Sequence, residues 1–88
     1  MKNGNGKGKI YDYLTLNLKF EGEYLNGEKN GKGKEYYENG ELKFEGEYLN
    51  GKKNGKAKEY YDNGKLLFEG EYLYDRRLKG KEYYIDGK

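Results

Sequence analysis

The hexapeptide Phe20-Glu21-Gly22-Glu23-Tyr24-Leu25 recurs unchanged as Phe44 to Leu49 and again as Phe68 to Leu73, a period of 24 residues. A unit this short cannot offset its own ordering entropy, so it must bury its apolar side against neighbouring copies. The stretches between the hexapeptides match as well: Asn30-Gly31-Lys32-Gly33-Lys34-Glu35-Tyr36-Tyr37 aligns with Asn54-Gly55-Lys56-Ala57-Lys58-Glu59-Tyr60-Tyr61. A last copy, Lys79 to Tyr84, arrives one residue early, and the first, Gly6 to Tyr11, is degenerate. The expected organisation is one domain over 1–88, with a partial repeat at 5–19, repeats at 20–43, 44–67 and 68–84, and a remnant at 85–88.

Each unit reads as a β-hairpin. In the second strand Leu42, Phe44, Gly46 and Tyr48 alternate with Lys43, Glu45 and Glu47, which puts the apolar set on one face. The first strand runs from Lys32 to Tyr37, and Glu38-Asn39-Gly40-Glu41 joins the two, because an Asn-Gly pair accepts the positive φ angles of a tight hairpin. The return connection, Asn26 to Gly31, is longer and rich in glycine. Placing Gly33 and Tyr37 on the face of Phe44 and Tyr48 lets neighbouring rings lie over glycine. Lys34, Tyr36, Lys43, Glu45 and Glu47 then form a charged face, with Glu45 and Glu47 explained by cross-strand pairing with Lys32 and Lys34. No segment has a helical period. The expected fold is all-β, a single-layer antiparallel meander of about seven strands.

Composition narrows the function classes. Cys, His, Ser and Trp are absent and Thr15 is the single threonine. The chain therefore lacks thiolate and imidazole chemistry, disulfides and the usual zinc ligands. An enzyme is not expected, nor a metal, nor any cofactor. The net charge of +2 and the Glu that alternates with Lys along every strand disfavour nucleic acid. The longest uncharged stretch, Tyr13 to Leu18, is far too short to span a bilayer, and the N-terminus reads as no secretory signal, so a cytoplasmic location is expected, with association to a membrane surface as the alternative.

The spacing of Phe20, Gly22, Tyr24, Gly27, Gly31, Gly33, Tyr37 and Gly40, repeated by Phe44, Gly46, Tyr48, Gly51, Gly55, Tyr61 and Gly64, resembles the MORN (membrane occupation and recognition nexus) repeat. The Glu-Tyr-Tyr-Glu-Asn-Gly wording is similar to a variant class of it. Tyr24, Tyr48 and Tyr72 stand where many members have Trp, Ala57 replaces a glycine, and Tyr74-Asp75-Arg76-Arg77-Leu78 lacks both loop glycines. The resemblance implies an elongated single-layer sheet, non-catalytic, serving protein interaction or dimerisation, and in some members binding anionic phospholipid.

Two candidate surfaces follow. The first is the aromatic face: Phe20, Tyr24, Tyr37, Phe44, Tyr48, Tyr61, Phe68 and Tyr72, expected to serve chiefly as a one-sided core and otherwise to meet a protein partner or a second copy. The second is a basic edge where the return connections gather Lys29, Lys32, Lys52, Lys53, Lys56, Arg76, Arg77 and Lys79, against Glu38, Glu41, Asp62 and Asp86 at the other end. Successive basic clusters about 9–10 Å apart lie within reach of a Debye length, so they could act together on an anionic membrane surface. Lys7 and Lys9 on one outer strand, and Lys79 and Lys81 on the other, would discourage edge-to-edge pairing.

Overall fold

The computed structural model describes residues 6–84; Asp86, the remnant 85–88 and the first residue of the partial repeat lie outside the described residues. Seven strands follow one another: β1 (Gly6–Tyr11), β2 (Leu18–Leu25), β3 (Glu28–Tyr36), β4 (Leu42–Leu49), β5 (Lys52–Tyr60), β6 (Leu66–Leu73) and β7 (Arg76–Glu82). They form one antiparallel sheet in sequence order. The shortest extent of the molecule is 14 Å against 48 and 31 Å for the other two, the thickness of one layer with its side chains.

Three features of the register carry the architecture. Gly8, Gly22, Gly33, Gly46, Ala57, Gly70 and Gly80 sit opposite one another in a row that crosses all seven strands. A side chain on that row would strike a ring or the facing strand. A Cβ at Gly33 would come within 2.8 Å of Phe20 and 2.9 Å of Tyr48, and one at Gly8 within 2.8 Å of Tyr24. Glycine here lets rings lie flat on backbone, and at Ala57 a methyl joins the buried core instead.

The second feature corrects the expected turns. The tight two-residue loops are the return connections, Asn26-Gly27 and Asn50-Gly51, with φ of 53° and 82°, and 51° and 85°. Two consecutive left-handed residues match the twist of the flanking strands. The other Asn-Gly pair behaves differently. Gly40 has φ 89° and Asn39 is not left-handed, while the Gly40 amide donates to Tyr37 O at 3.0 Å, so this is a three-residue loop closed by a left-handed glycine. The third return turn, Tyr74-Asp75, keeps the left-handed pair without glycine, at φ 49° and 69°. Side chains on the neighbouring strand brace these turns: Asn30 accepts from the Asn50 amide and Asn54 from the Tyr74 amide, each at 3.1 Å.

The third feature is a bulge. β3 begins at Glu28, four residues before the expected start, because Asn30 and Gly31 continue the strand. Between the pairs Gly22–Gly33 and Tyr24–Lys29, β2 has one residue and β3 has three. Gly31 absorbs the excess at φ 103°, and Gly55 does so in β5 at 113°. Glu23 turns its carboxylate into this bulge, where it accepts the Lys32 amide at 2.9 Å. A Cβ at Gly31 would collide with the Glu23 carboxylate, and one at Gly55 with that of Glu47.

Candidate functional site

On the aromatic face Tyr24, Phe20, Tyr48, Phe44, Tyr72 and Phe68 form an unbroken zigzag, with centroids 6.0, 5.5, 5.6, 5.6 and 5.9 Å apart and every contact edge-to-face. That geometry aims the positive ring edge at a negative ring face. Phe44 is only 1% exposed although no second sheet or helix covers it among the described residues. The cover consists of cations: the Lys29 and Lys53 ammoniums stand 4.0 and 4.2 Å above the centres of Phe20 and Phe44, and the Arg77 guanidinium 4.5 Å above Phe68. The cationic heads, seated on the ring faces, take the place of a second layer.

Carboxylates anchor the cover. Glu35 accepts from the Tyr48 hydroxyl and lies 3.9 Å from Lys53 Nζ. Glu59 accepts from the Tyr72 hydroxyl and takes both Arg77 Nε at 3.1 Å and Nη2 at 3.2 Å, while Arg77 Nη1 reaches Glu82 at 3.0 Å. Hydrogen bonding to Glu59 raises the Arg77 pKa, partly opposed by burial. Burial first, then the Glu35 bond, pushes the Tyr48 phenol far above its ordinary value.

Tyr37 and Tyr61 do not join the ladder. A register shift between Glu35 and Tyr36, and its copy between Glu59 and Tyr60, breaks the alternation before it reaches them. Their hydroxyls donate to main chain at the ends of the next odd-numbered strands, to Tyr60 O in β5 at 2.7 Å and to Tyr83 O just past β7 at 2.5 Å. Burial, then the negative Asp62, raises the Tyr37 pKa.

The eight residues expected to form one basic edge separate into three groups. Lys29, Lys53 and Arg77 cap the rings. Lys32 and Lys56 lie on the opposite face, in register with Glu47 and Glu71, and Lys79 stands 3.9 Å from Glu71. Lys52 and Arg76 remain at the exposed hairpin tips, where the first repeat has Glu28 instead. The cause is the early start of β3, β5 and β7: residues expected in loops are strand residues, and alternation sends neighbours to opposite faces. Glu35 and Glu59 were not singled out from the sequence, although their spacing of two from Gly33 and Ala57 places them on the aromatic face.

The charged face is a trough. An open cavity of about 1070 Å³ crosses β1 to β6, floored by the backbone of the glycine row. One wall carries Lys7, Glu23, Lys32, Glu47, Lys56 and Glu71; the other carries Lys9, Glu21, Lys34, Glu45, Lys58 and Glu69. Each wall has three charges of either sign, and the sign changes at every strand. Within the trough Lys58 pairs with Glu69 at 4.0 Å. At one end Tyr36 donates to Glu21 at 2.5 Å and Tyr60 to Glu45 at 2.9 Å, and burial together with these bonds pushes both phenols up to about 12.

A one-layer sheet of stacked hairpins with a ring ladder on one face and a charged trough on the other defines a β-hairpin repeat protein. Two family models match it, the MORN repeat over residues 20–41 and the MORN repeat variant over 53–74. They cut the same period at different phases, the first from strand β2 and the second from within strand β5. The chain is a MORN repeat protein. Such repeats are a non-catalytic type, generally modules that bind proteins or membranes. No curated protein matches the chain.

Proposed function

We propose that this chain is a non-catalytic scaffold that holds a segment of a partner protein in the charged trough. The observation that supports this reading is the trough itself: about 1070 Å³, open across six strands, with walls of alternating sign and no net charge. A polypeptide bearing both signs can satisfy such walls, whereas a polyanion meets a Glu at every second strand. The aromatic face suits a partner less well, since its rings already contact one another and are covered by Lys29, Lys53 and Arg77. A lipid platform is weakened in the same way, because the basic edge divides between two faces and the hairpin tips.

The test compares two charge reversals by quantitative affinity capture: Lys34→Glu with Lys58→Glu in the trough, and Lys52→Glu with Arg76→Glu at the tips. Partners lost with the trough pair and retained with the tip pair support the reading. Co-sedimentation with anionic vesicles at physiological salt, abolished by the tip pair, would overturn it.

A further inference from the structure

β1 is built like β3 and β5, but among the described residues no strand stands before it. In the interior every Lys-x-Lys strand lies between two Glu-x-Glu strands: Lys34 faces Glu21 and Glu45, and Lys58 faces Glu45 and Glu69. In β1, Lys7 and Lys9 face Glu23 and Glu21 of β2, and no strand pairs with the outer edge among the described residues.

Two further features of β1 fit a strand on that side. Gly6 is left-handed at φ 113°, the conformation of Gly31 and Gly55. In the interior this bulge receives the carboxylate of Glu23 or Glu47 from the preceding strand, whereas no described residue comes within 4 Å of the equivalent point at Gly6. A left-handed glycine with the following amide turned outward makes an anion-binding concavity, and Lys7 occupies the place of Lys32, whose amide makes that bond. Tyr11 is the second feature. Its counterparts Tyr36 and Tyr60 donate to Glu21 and Glu45 of the preceding strand, while Tyr11 stands 52% exposed.

We propose that the outer edge of β1 receives an acidic β-strand of a partner protein, of pattern aromatic-Glu-Gly-Glu-aromatic, added antiparallel in the register that β2 adopts on β3. The first Glu lies against Lys9 and accepts from Tyr11. The Gly lies over Gly8. The second Glu enters the Gly6 bulge beside Lys7, and the leading aromatic lies against Ile10. Main-chain bonds supply affinity and the two carboxylates supply selectivity. A second copy is a poor occupant, because β1 and β7 both offer Lys-x-Lys and like charges directly opposite repel. β7 is the weaker receptor, with Leu78 standing where Asn30 and Asn54 accept from the following turn. This site is separate from the trough and independent of the reading given to it.

The test titrates the whole chain into a fluorescent peptide with the sequence of residues 42–49, LKFEGEYL, read by anisotropy, against the swapped peptide LKFKGKYL. The acidic peptide binds, weakens as salt rises, and exceeds the swapped one by about tenfold, the expectation for two cross-strand pairs changed from attraction to repulsion. Gly6→Val fills the concavity and weakens the acidic peptide, and the strain of a β-branched residue at φ 113° lowers the melting temperature as well, so the charge reversal carries the control. Lys7→Glu with Lys9→Glu reverses the preference, a gain that misfolding cannot mimic. Equal binding of the two peptides, indifference to all three substitutions, or no binding at low salt overturns the proposal. A dimer that the acidic peptide fails to dissociate also overturns it.

Discussion

The first hairpin and the two that follow share a strand register but differ in how their tyrosines are held. Tyr48 and Tyr72 are 5% and 7% exposed, each with its hydroxyl on a carboxylate from the strand before, Glu35 or Glu59. Tyr24 has the same place in the repeat, yet Ile10 stands where that glutamate would be, and the ring is half-buried. Lys29 accordingly caps Phe20 with no ion pair among the described residues, while Lys53 has Glu35 and Arg77 has Glu59 and Glu82. The difference teaches that a repeat is completed by its predecessor. A ring, a cation and a carboxylate come from three successive strands, and the first repeat receives two of the three. This is nearest-neighbour stabilisation expressed in side chains.

The largest effect should come from breaking the ladder where it is complete. Phe44→Ala removes a ring wedged between Tyr48 and Tyr72 and should cost about 3–5 kcal/mol in urea unfolding, enough to abolish the cooperative transition of so thin a fold. Glu59→Ala comes next, at about 2–3 kcal/mol, because it strips the acceptor from Tyr72 and both fork contacts from Arg77. Glu35→Ala should cost about half as much, since Lys53 approaches Glu35 only to 3.9 Å. Equal losses at the two sites would show that the Arg77 fork adds nothing to the lysine arrangement.

Alkaline titration probes the same contrast on the trough face. Tyr36 and Tyr60 have pKa values raised to about 12 by burial and by Glu21 and Glu45. A raised phenol pKa means the folded state holds its proton longer than the unfolded chain. The stabilisation is therefore complete below pH about 10 and is lost as pH rises from 10 towards 12. Replacing both with Phe should flatten the fall in melting temperature over that window; an unchanged slope would place the sensitivity elsewhere. A smaller change, of opposite sign, is expected at the third return turn. Tyr74→Asn puts a residue tolerant of left-handed backbone at φ 49° and leaves Asp75 bonded to the Lys53 amide, so stability should rise by about 0.5–1 kcal/mol, measured as a shift in the urea midpoint.

Much of the fold could be read from spacing. The period of Phe20, Phe44 and Phe68 located the hairpins, and the alternation through Phe44, Gly46 and Tyr48 gave the ladder and the glycine row beneath it. The turns were harder. Asn26-Gly27 and Asn39-Gly40 are the same dipeptide, and which of them closes in two residues depends on the bulge at Gly31, a tertiary feature. That bulge also hid the division of the basic edge: with Asn30-Gly31 read as loop, Lys29 and Lys32 looked like neighbours on one rim rather than residues on opposite faces. The carboxylates of Glu35 and Glu59 left no composition signal among so many charges; their spacing of two from Gly33 and Ala57 was the available signal, and the register sets them opposite Phe44 and Phe68, within reach of Tyr48 and Tyr72. The trough was not legible as a site, because alternating Lys and Glu in a sequence also arise wherever a sheet needs a soluble face.

The direct test of the central claim is to give the first repeat its missing carboxylate. Ile10→Glu places an acid opposite Phe20, in the relation that Glu35 has to Phe44, within the setting of Tyr24 and Lys29. Exchanging an apolar for a charged residue on an outer strand ordinarily lowers stability. Here the urea midpoint should rise, by the equivalent of about 0.5–1.5 kcal/mol, with slower amide exchange in β1 and β2. A fall in the midpoint, with Tyr24 as accessible as before, would contradict the claim that each repeat is completed by the carboxylate of the strand before it.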